Sequence, residues 1–371
     1  MKVLMIPTWY SAYDAEVMTA GVFHYEQSMA LEQYADMALY FPYDMSIPTG
    51  FYKAKEKGLL TFRRRNVNPL IRPFVMIFDF MKIKKEFNPD VLHGHVGAGA
   101  GFLTTILGKL FRIPVVITEH NPIELMGFDS PIMVNLVKQA YHGADANICV
   151  SKHSMNSLLE YFPKEKFQVI YNGVIDPKTI ETDGVTYAVR DHINCCIVAA
   201  FYDKEIKGYQ FLIPAIKKLV DSGVSITLHI CGGGDHMEYY QNLVKELGIE
   251  KNCIFYGQCN RQKVYSIISQ MDFSISASIF ECSGVSVQEA MLLGKPLVVT
   301  KSGGANSLVT EDTAIVVDRE STNALVDGIS EMVKRLDEFH ETKIREYAFE
   351  NFEIDQVSQR YMKLYQSLCE K

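Results

Sequence analysis

The sequence predicts an α/β protein built as two doubly wound, Rossmann-like halves. Short, predominantly apolar runs such as residues 1–7 (MKVLMIP), 115–118 (VVIT) and 297–300 (LVVT) each lead into a polar or glycine-bearing loop. Unbroken apolar strands of this length belong in parallel sheets covered on both faces. The chain has 371 residues, more than one ordinary core holds and enough for two domains of about 150–200 residues. Between them, residues 179–191 are polar and without periodicity, a linker signal. Residues 194–201 (NCCIVAAF) then start a fresh strand.

The bulk composition narrows the class. With 48% hydrophobic and 22% charged residues the chain reads as globular. Its net charge of −7 argues against a general nucleic-acid binder, which would be basic. No apolar run approaches the roughly 18–20 residues of a transmembrane helix. The opening MKVLMIPTWY is too short for a signal-peptide apolar core and reads as a first strand. The eight cysteines (149, 195, 196, 231, 253, 259, 282 and 369) show no C-x-x-C spacing. Most sit in apolar strand-like runs, the pattern of free thiols in a reducing compartment, so a cytoplasmic location is expected.

In the first half, Gly21 opens GVFHYEQSMALEQ, where Val22, Met29, Ala30 and Gln33 sketch a helix. A glycine between first strand and first helix is where a doubly wound fold brings backbone close to a ligand. Residues 53–85 interleave cations with Phe, Leu, Ile and Met. This reads either as a solvated helix face or as a surface that docks on anionic lipid headgroups. Asp90–Val96 (DVLHGHV) is a strand carrying His93 and His95 on one face. Metal ligation has to be weighed there, but no clear third ligand is visible. The G-A-G-A-G run after it lacks the G-x-G-x-x-G spacing of a dinucleotide fingerprint. Next, strand 115–118 emerges into Glu119-His120-Asn121-Pro122, a polar cluster at the strand end where open α/β sheets place their chemistry. Asn172-Gly173 closes the half, with the glycine expected to permit a turn.

In the second half, Lys207-Gly208 precedes a helix with Phe211, Leu212, Ala215, Ile216 and Leu219 on its stripe. A lysine at that place is suited to meet a phosphate as a point charge. Residues 225–235 (SITLHICGGGD) are a strand and then a glycine loop, and Gly303-Gly304 follows strand 297–300 with amides expected to be free. Residues 278–294 (SIFECSGVSVQEAMLLG) hold the densest signal. A strand ends near Ala277, a tight loop from Glu281 to Gly284 follows, and Val287, Ala290 and Met291 form the stripe of a helix stopped by Gly294 and Pro296. Free amides and the positive end of that helix make an anion site. Glu289 lies about 200° from Val287 round the helix, at roughly 100° per residue, and so need not be buried with that stripe. The tail, 352–368, repeats Ile354, Val357, Tyr361, Leu364 and Leu368 at helical spacing.

The 278–294 stretch resembles the E-x7-E element of the retaining nucleotide-sugar glycosyltransferases of family 4. Glu281, Gly284, Val285, Glu289, Ala290, Met291, Gly294, Pro296 and Val298 stand in register with it, while Cys282 and Ser283 replace the usual Gly and aromatic residue. D-x-x-H-x-H at 90–95, P-V-V-x-T-x-H at 114–120, A-D-x-x-I-x-V-S at 144–151, V-I-x-N-G-V at 169–174 and Lys207-Gly208 extend the resemblance over nearly the whole chain. It implies the GT-B fold, two Rossmann-like domains facing each other across a cleft. The first domain would span 1–178 and be joined by the C-terminal helix 352–371, and the second would span 190–351. The activity implied is retaining transfer from a nucleoside-diphosphate sugar to a hydroxyl acceptor, a saccharide or lipid-linked saccharide.

By the same resemblance His120, Lys207 and Glu281 are the catalytic candidates. Gly21, Lys204, Gly233, Ser283, Gly284, Val285 and Glu289 are the donor side, and His95 and Asn121 the acceptor side. The family's usual Gly-Arg-Leu is Ala199-Ala200-Phe201 here. With that Arg missing, either Lys204 substitutes or fewer cations hold the diphosphate. No D-x-D chelate occurs in the chain, and no metal or other cofactor is expected. Lipid-acting members often carry a basic patch in the first domain, which extends the expected location to the inner membrane face through 53–85. A sugar-nucleotide epimerase and a non-catalytic subunit are the alternatives on the same architecture.

Overall fold

The computed structural model describes residues 1–10, 22–121, 126, 128, 130–202 and 204–370. They fall into two compact units, one of residues up to 173 together with 354–370, the other of residues 174–353.

The first unit is built on β1 (Lys2–Ile6), α1 (Val22–Leu31), β2 (Asp36–Asp44), β3 (Phe51–Glu56), β4 (Leu59–Arg65), α2 (Arg72–Glu86), β5 (Val91–His95), α3 (Phe102–Phe111), β6 (Val115–Glu119), α4 (Pro131–Gly143), β7 (Ala146–Cys149), α5 (Lys152–Tyr161) and β8 (Phe167–Val169). The eight strands form one sheet in the order β3-β4-β2-β1-β5-β6-β7-β8. All neighbours run parallel except β3, which returns antiparallel on β4. Lys57 and Gly58 turn that hairpin with φ of 46° and 103°, the two positive values that match strand twist. So the basic stretch is a hairpin plus a helix rather than one helix face.

The pleat sends Leu4 and Ile6 to a core with Phe80, Leu92 and Ile117. Val3 and Met5 go to the opposite core with Leu39, Val116 and Ile148. Burial on both faces is the reason β1 reads as an unbroken apolar run.

The second unit contains β9 (Ile193–Val198), α6 (Tyr209–Asp221), β10 (Ile226–Cys231), α7 (Met237–Glu246), β11 (Cys253–Gly257), α8 (Arg261–Ser269), β12 (Phe273–Ser276), α9 (Val285–Leu292), β13 (Leu297–Thr300), β14 (Ala314–Val317), α10 (Thr322–Arg335) and α11 (Glu341–Phe352). Its six-stranded sheet has the order β11-β10-β9-β12-β13-β14, parallel throughout. Ile197, Leu228, Phe273 and Val298 from the sheet pack with Leu212 and Ile216 of α6 and Ile329 of α10. Residues 181–187 carry neither helix nor strand and lie on α8, where Ser266 Oγ and Gln270 Oε1 accept the N–H groups of Asp183 and Tyr187.

The last helix, α12 (Ile354–Cys369), packs in the first unit, where Val357, Tyr361, Tyr365 and Leu368 complete the core around Val3 and Met5. Gly173 does not make a turn. A Cβ on it would stand 2.9 Å from Ile354 Cγ1, so the glycine is required by the close passage of α12's first residue.

Candidate functional site: a phosphate cradle in one unit and a histidine cluster in the other

Helix starts and the loops that lead into them shape the second unit's site. Gly208 precedes α6 at φ 71°, and a Cβ there would run into the carbonyl of Ala277. Gly284 precedes α9 at φ 90°, where a Cβ would meet Ala305 Cβ at 3.0 Å. Both positions require the left-handed backbone that glycine takes without penalty. Neither helix start has a side-chain cap, so the first-turn amides can serve an anion.

Between these two starts, Lys207 Nζ donates to Glu281 Oε2 at 2.8 Å, with 28% and 23% of the side chains exposed. The loop holding Glu281 is zipped to the loop after β13. Glu281 N–H donates to the Ser302 carbonyl at 3.0 Å, and its own carbonyl accepts Gly304 N–H at 2.6 Å. Arg319 adds a further tie by donating to the Ile279 carbonyl at 3.0 Å while stacking on Phe280.

Several expectations change here. The Gly303 and Gly304 amides are not free, since Asn306 Oδ1 takes the first and Glu281 the second. Glu289 is buried, only 4% exposed, because α9 is covered all round from Val287 to Leu292. Its Oε1 accepts the Tyr265 hydroxyl at 2.9 Å. Ser283 is buried with its Oγ unpartnered among the described residues, whereas Val285 is 38% exposed. Gly233 sits between two positive-φ glycines at the end of β10 and accepts Phe201 N–H at 2.9 Å. Lys204 is exposed and lies over the Tyr239 ring, 4.0 Å from its centroid, rather than on the Lys207–Glu281 pair.

In the first unit β5 and β6 deliver His95 and Glu119 side by side at their carboxyl ends, with His120 next in chain. Glu119 is fully buried and accepts four hydrogen bonds. Gly97 N–H and Tyr141 Oη meet Oε2, and the amides of His120 and Asn121 meet Oε1. That carboxylate therefore fixes the backbone from which His120 and Asn121 project. Burial nevertheless holds its pKa above the usual carboxylate value, against those four bonds.

His95 Nδ1 and His120 Nε2 share a hydrogen bond of 2.8 Å, and the two rings stack with centroids 5.1 Å apart. His93, on the same face of β5, is saturated by Tyr365 and Thr118 at 2.7 Å each. Burial pushes His93 and His120 down to about 3 and holds His95 and His24 well below the ordinary imidazole range. All four are neutral near pH 7.

His24 of α1 is the residue that sequence reasoning missed. It stands 4.4 Å from His95 and 5.5 Å from His120, centroid to centroid, and no local spacing announces a contact made across 71 residues of chain. The cluster brought together in space is therefore His24, His95 and His120, of which only His95 belongs to the H-x-H pair. Glycines of the G-A-G-A-G run are packing glycines, since Cβ atoms on Gly97 and Gly99 would strike Tyr141 and Thr8. Gly21 lies outside the described residues.

Two family models match the chain, "Glycosyl transferases group 1" over residues 193–350 and "Glycosyltransferase Family 4" over residues 52–176. The chain is 24% identical to N-acetyl-alpha-D-glucosaminyl L-malate synthase of Bacillus anthracis over 296 residues, 76% of either protein. The fold matches Anabaena HepE, solved in complex with UDP, at a TM-score of 0.79 and 17% identity, over 99% of this chain and 100% of that one. Sucrose-phosphate synthase from Thermosynechococcus elongatus matches at 0.77 and 16%, over 99% and 98%. With both halves of the sequence matched by glycosyltransferase models and the two parallel-sheet units superposing on glycosyltransferase structures, the chain belongs to glycosyltransferase family 4 and is an enzyme of the GT-B type.

Proposed function

We propose that the enzyme moves a sugar from a nucleoside-diphosphate sugar to a hydroxyl acceptor with retention at C1, the second unit taking the donor and the first the acceptor. The observation that carries this reading is the Lys207–Glu281 pair set between two uncapped helix starts. It combines a cation and free amides for a diphosphate with a carboxylate for sugar hydroxyls. Structural neighbours solved with UDP and UDP-glucose support a nucleoside-diphosphate donor.

In the reaction the bond between C1 and the diphosphate oxygen breaks and a bond from the acceptor oxygen to C1 forms on the same face. The acceptor's proton passes to the departing phosphate oxygen. Negative charge develops on the diphosphate, and preorganised positive groups placed where charge develops lower the barrier. Lys207 and the first-turn amides that follow Gly208 and Gly284 supply them without a divalent metal. Donor binding exchanges the Lys207–Glu281 contact for contacts of Lys207 with phosphate and of Glu281 with sugar hydroxyls. Buried Glu289, braced by Tyr265, receives the ribose hydroxyls, and neutral His120 meets the transferred sugar. The test is the anomeric configuration of the product by proton NMR, using UDP-, GDP- and ADP-sugars with and without EDTA. Retention that is indifferent to EDTA is expected; an inverted product overturns the retaining reading, and activity lost in EDTA overturns the metal-free one.

A lipid-linked saccharide is the acceptor class favoured by α2. Leu70, Ile71, Phe74, Phe78 and Met81 are 83, 51, 66, 63 and 39% exposed, an outward apolar stripe beside exposed Lys82 and Lys85. Such a helix lies in the headgroup region of an anionic bilayer. No described helix is long and apolar enough to cross one. The cysteines are free and all but Cys369 buried, which suits a cytoplasmic enzyme held at the inner membrane face.

A further inference from the structure

We propose that His24, His95 and His120 form a binding site for one transition-metal ion of the zinc and copper class. One ring nitrogen from each lies within 4.8 Å of the others. His24 and His95 are fully buried. Neither ring nitrogen of His24 has a partner among the described residues, and neither does Nε2 of His95. A buried polar atom left unpaired is unfavourable by about 1–3 kcal/mol. A ring turns only one nitrogen toward a given ion, so the unpaired atoms supply one candidate ligand from His24 and one from His95, and both rings call for something that binds them. Among the described residues the group contains three imidazoles and no carboxylate. Imidazole selects zinc, copper or nickel over magnesium and calcium.

The ligand set is three, not four. His93 stacks on His95 with centroids 4.2 Å apart, but both of its nitrogens are engaged by Tyr365 and Thr118. Three histidines with one open position make the arrangement of zinc sites that admit water or solute.

The adjustment required is small. Metal–nitrogen bonds of about 2.0–2.1 Å in tetrahedral geometry set ligand nitrogens about 3.3 Å apart. His95 Nδ1 and His120 Nε2 now stand 2.8 Å apart in a hydrogen bond that the ion would replace, and the widest separation in the set is 4.8 Å. Ring rotations of about an ångström close the difference. Because the ion occupies a His120 nitrogen, it competes with the sugar contact proposed for that residue. It would act as an inhibitor rather than as the diphosphate's cofactor.

The test uses the full chain, stripped with a chelator and titrated with Co2+ as the probe, and it does not rest on the transfer reading because its readout is spectroscopic. One Co2+ per chain is expected, with the visible absorption of a four-coordinate nitrogen site that Zn2+ abolishes. His24→Gln and His95→Gln should each weaken binding about 100-fold, at least as much as the loss of an outer-shell partner. His142→Gln, on an exposed ring, should leave binding unchanged. Absence of stoichiometric Co2+ binding to the wild-type protein overturns the site. So does unchanged Co2+ affinity in a His24→Gln protein whose circular dichroism matches the wild type.

Discussion

Lys207 donates to Glu281 at 2.8 Å across 74 residues of chain, tying the start of α6 to the loop that opens α9. An ion pair that still keeps about a quarter of each side chain in solvent contributes little to stability. On the proposed reading its value lies in placing a cation and a carboxylate within one donor molecule's reach. Lys207→Ala should therefore leave the melting temperature nearly unchanged while lowering kcat/KM. The loss of a charge-assisted contact of about 1.5–3 kcal/mol corresponds to a factor of about 10–150. Unchanged kcat/KM in steady-state assays would remove Lys207 from the phosphate site. Lys204→Ala in the same assay decides the missing arginine. Because Lys204 rests on Tyr239, a loss comparable to that of Lys207→Ala would mean it swings onto the diphosphate, and a loss below about twofold that fewer cations suffice.

The glycines before α6 and α9 are the second point of leverage. Gly208→Ala forces a left-handed alanine, which carries about 1–2 kcal/mol, and drives its Cβ into the Ala277 carbonyl. Gly223 has nearly the same backbone twist, φ 89°, with nothing within 4 Å of a Cβ, so Gly223→Ala isolates the conformational part. Thermal melts should place Gly208→Ala below Gly223→Ala by several degrees, at roughly 2–4 °C per kcal/mol for a unit of this size. Equal melting temperatures would show that the loop yields and that the close approach is not required.

How far these features were legible in sequence follows from their range. Strands buried on both faces announce themselves as apolar runs, and the α9 segment announced itself through the spacing of Glu281, Gly284 and Gly294. Features that depend on a second element were silent. Helical geometry alone sets Glu289 off the apolar stripe, yet α9 is enclosed on every side and Tyr265 of α8 supplies the polar partner. Gly303 and Gly304 looked like free amides because their acceptors, Asn306 and Glu281, belong to a loop conformation no local pattern encodes. His24 is on an unremarkable helix, and only the sheet order, which sets β1 beside β5, brings neighbouring segments together.

The buried histidines make stability depend on acid. His93 and His120 are held at about 3 in the fold against about 6.5 when unfolded. Between those values the unfolded chain binds protons that the native chain refuses, so stability is full above about pH 6.5 and is lost as pH falls toward 3. Glu119, raised above its ordinary 4.5, works in the opposite direction, losing stability as pH rises through its own window. Urea midpoints measured from pH 7.5 down to 4 should fall, with a shallower slope in His93→Gln. A flat profile would mean these rings take up protons without unfolding.

The proposed docking of α2 on an anionic membrane has an apolar and a charged part that variants can separate. Arg63–Arg65 look in sequence like lipid cations, but they are engaged within the unit. Arg63 pairs with Glu56 and Asp44, Arg64 with Asp79, and Arg65 with the carbonyls of Met45 and Ile47. Neutralising Arg64 leaves the fully buried Asp79 without its cation and with the Tyr40 hydroxyl as its remaining side-chain donor, so Arg64→Gln should destabilise the fold rather than report on lipid. The free surface is the α2 stripe. A fully buried Phe is worth about 1.5–3 kcal/mol, and a cation near an anionic surface about 1 kcal/mol. Phe74→Ser with Phe78→Ser should reduce co-sedimentation with anionic liposomes by about tenfold or more while leaving the melting temperature unchanged. Lys82→Gln with Lys85→Gln should weaken it less and make it insensitive to added salt. If the double Phe variant still sediments like the wild type, α2 does not face the bilayer, and its apolar stripe belongs to a protein partner or to the acceptor itself.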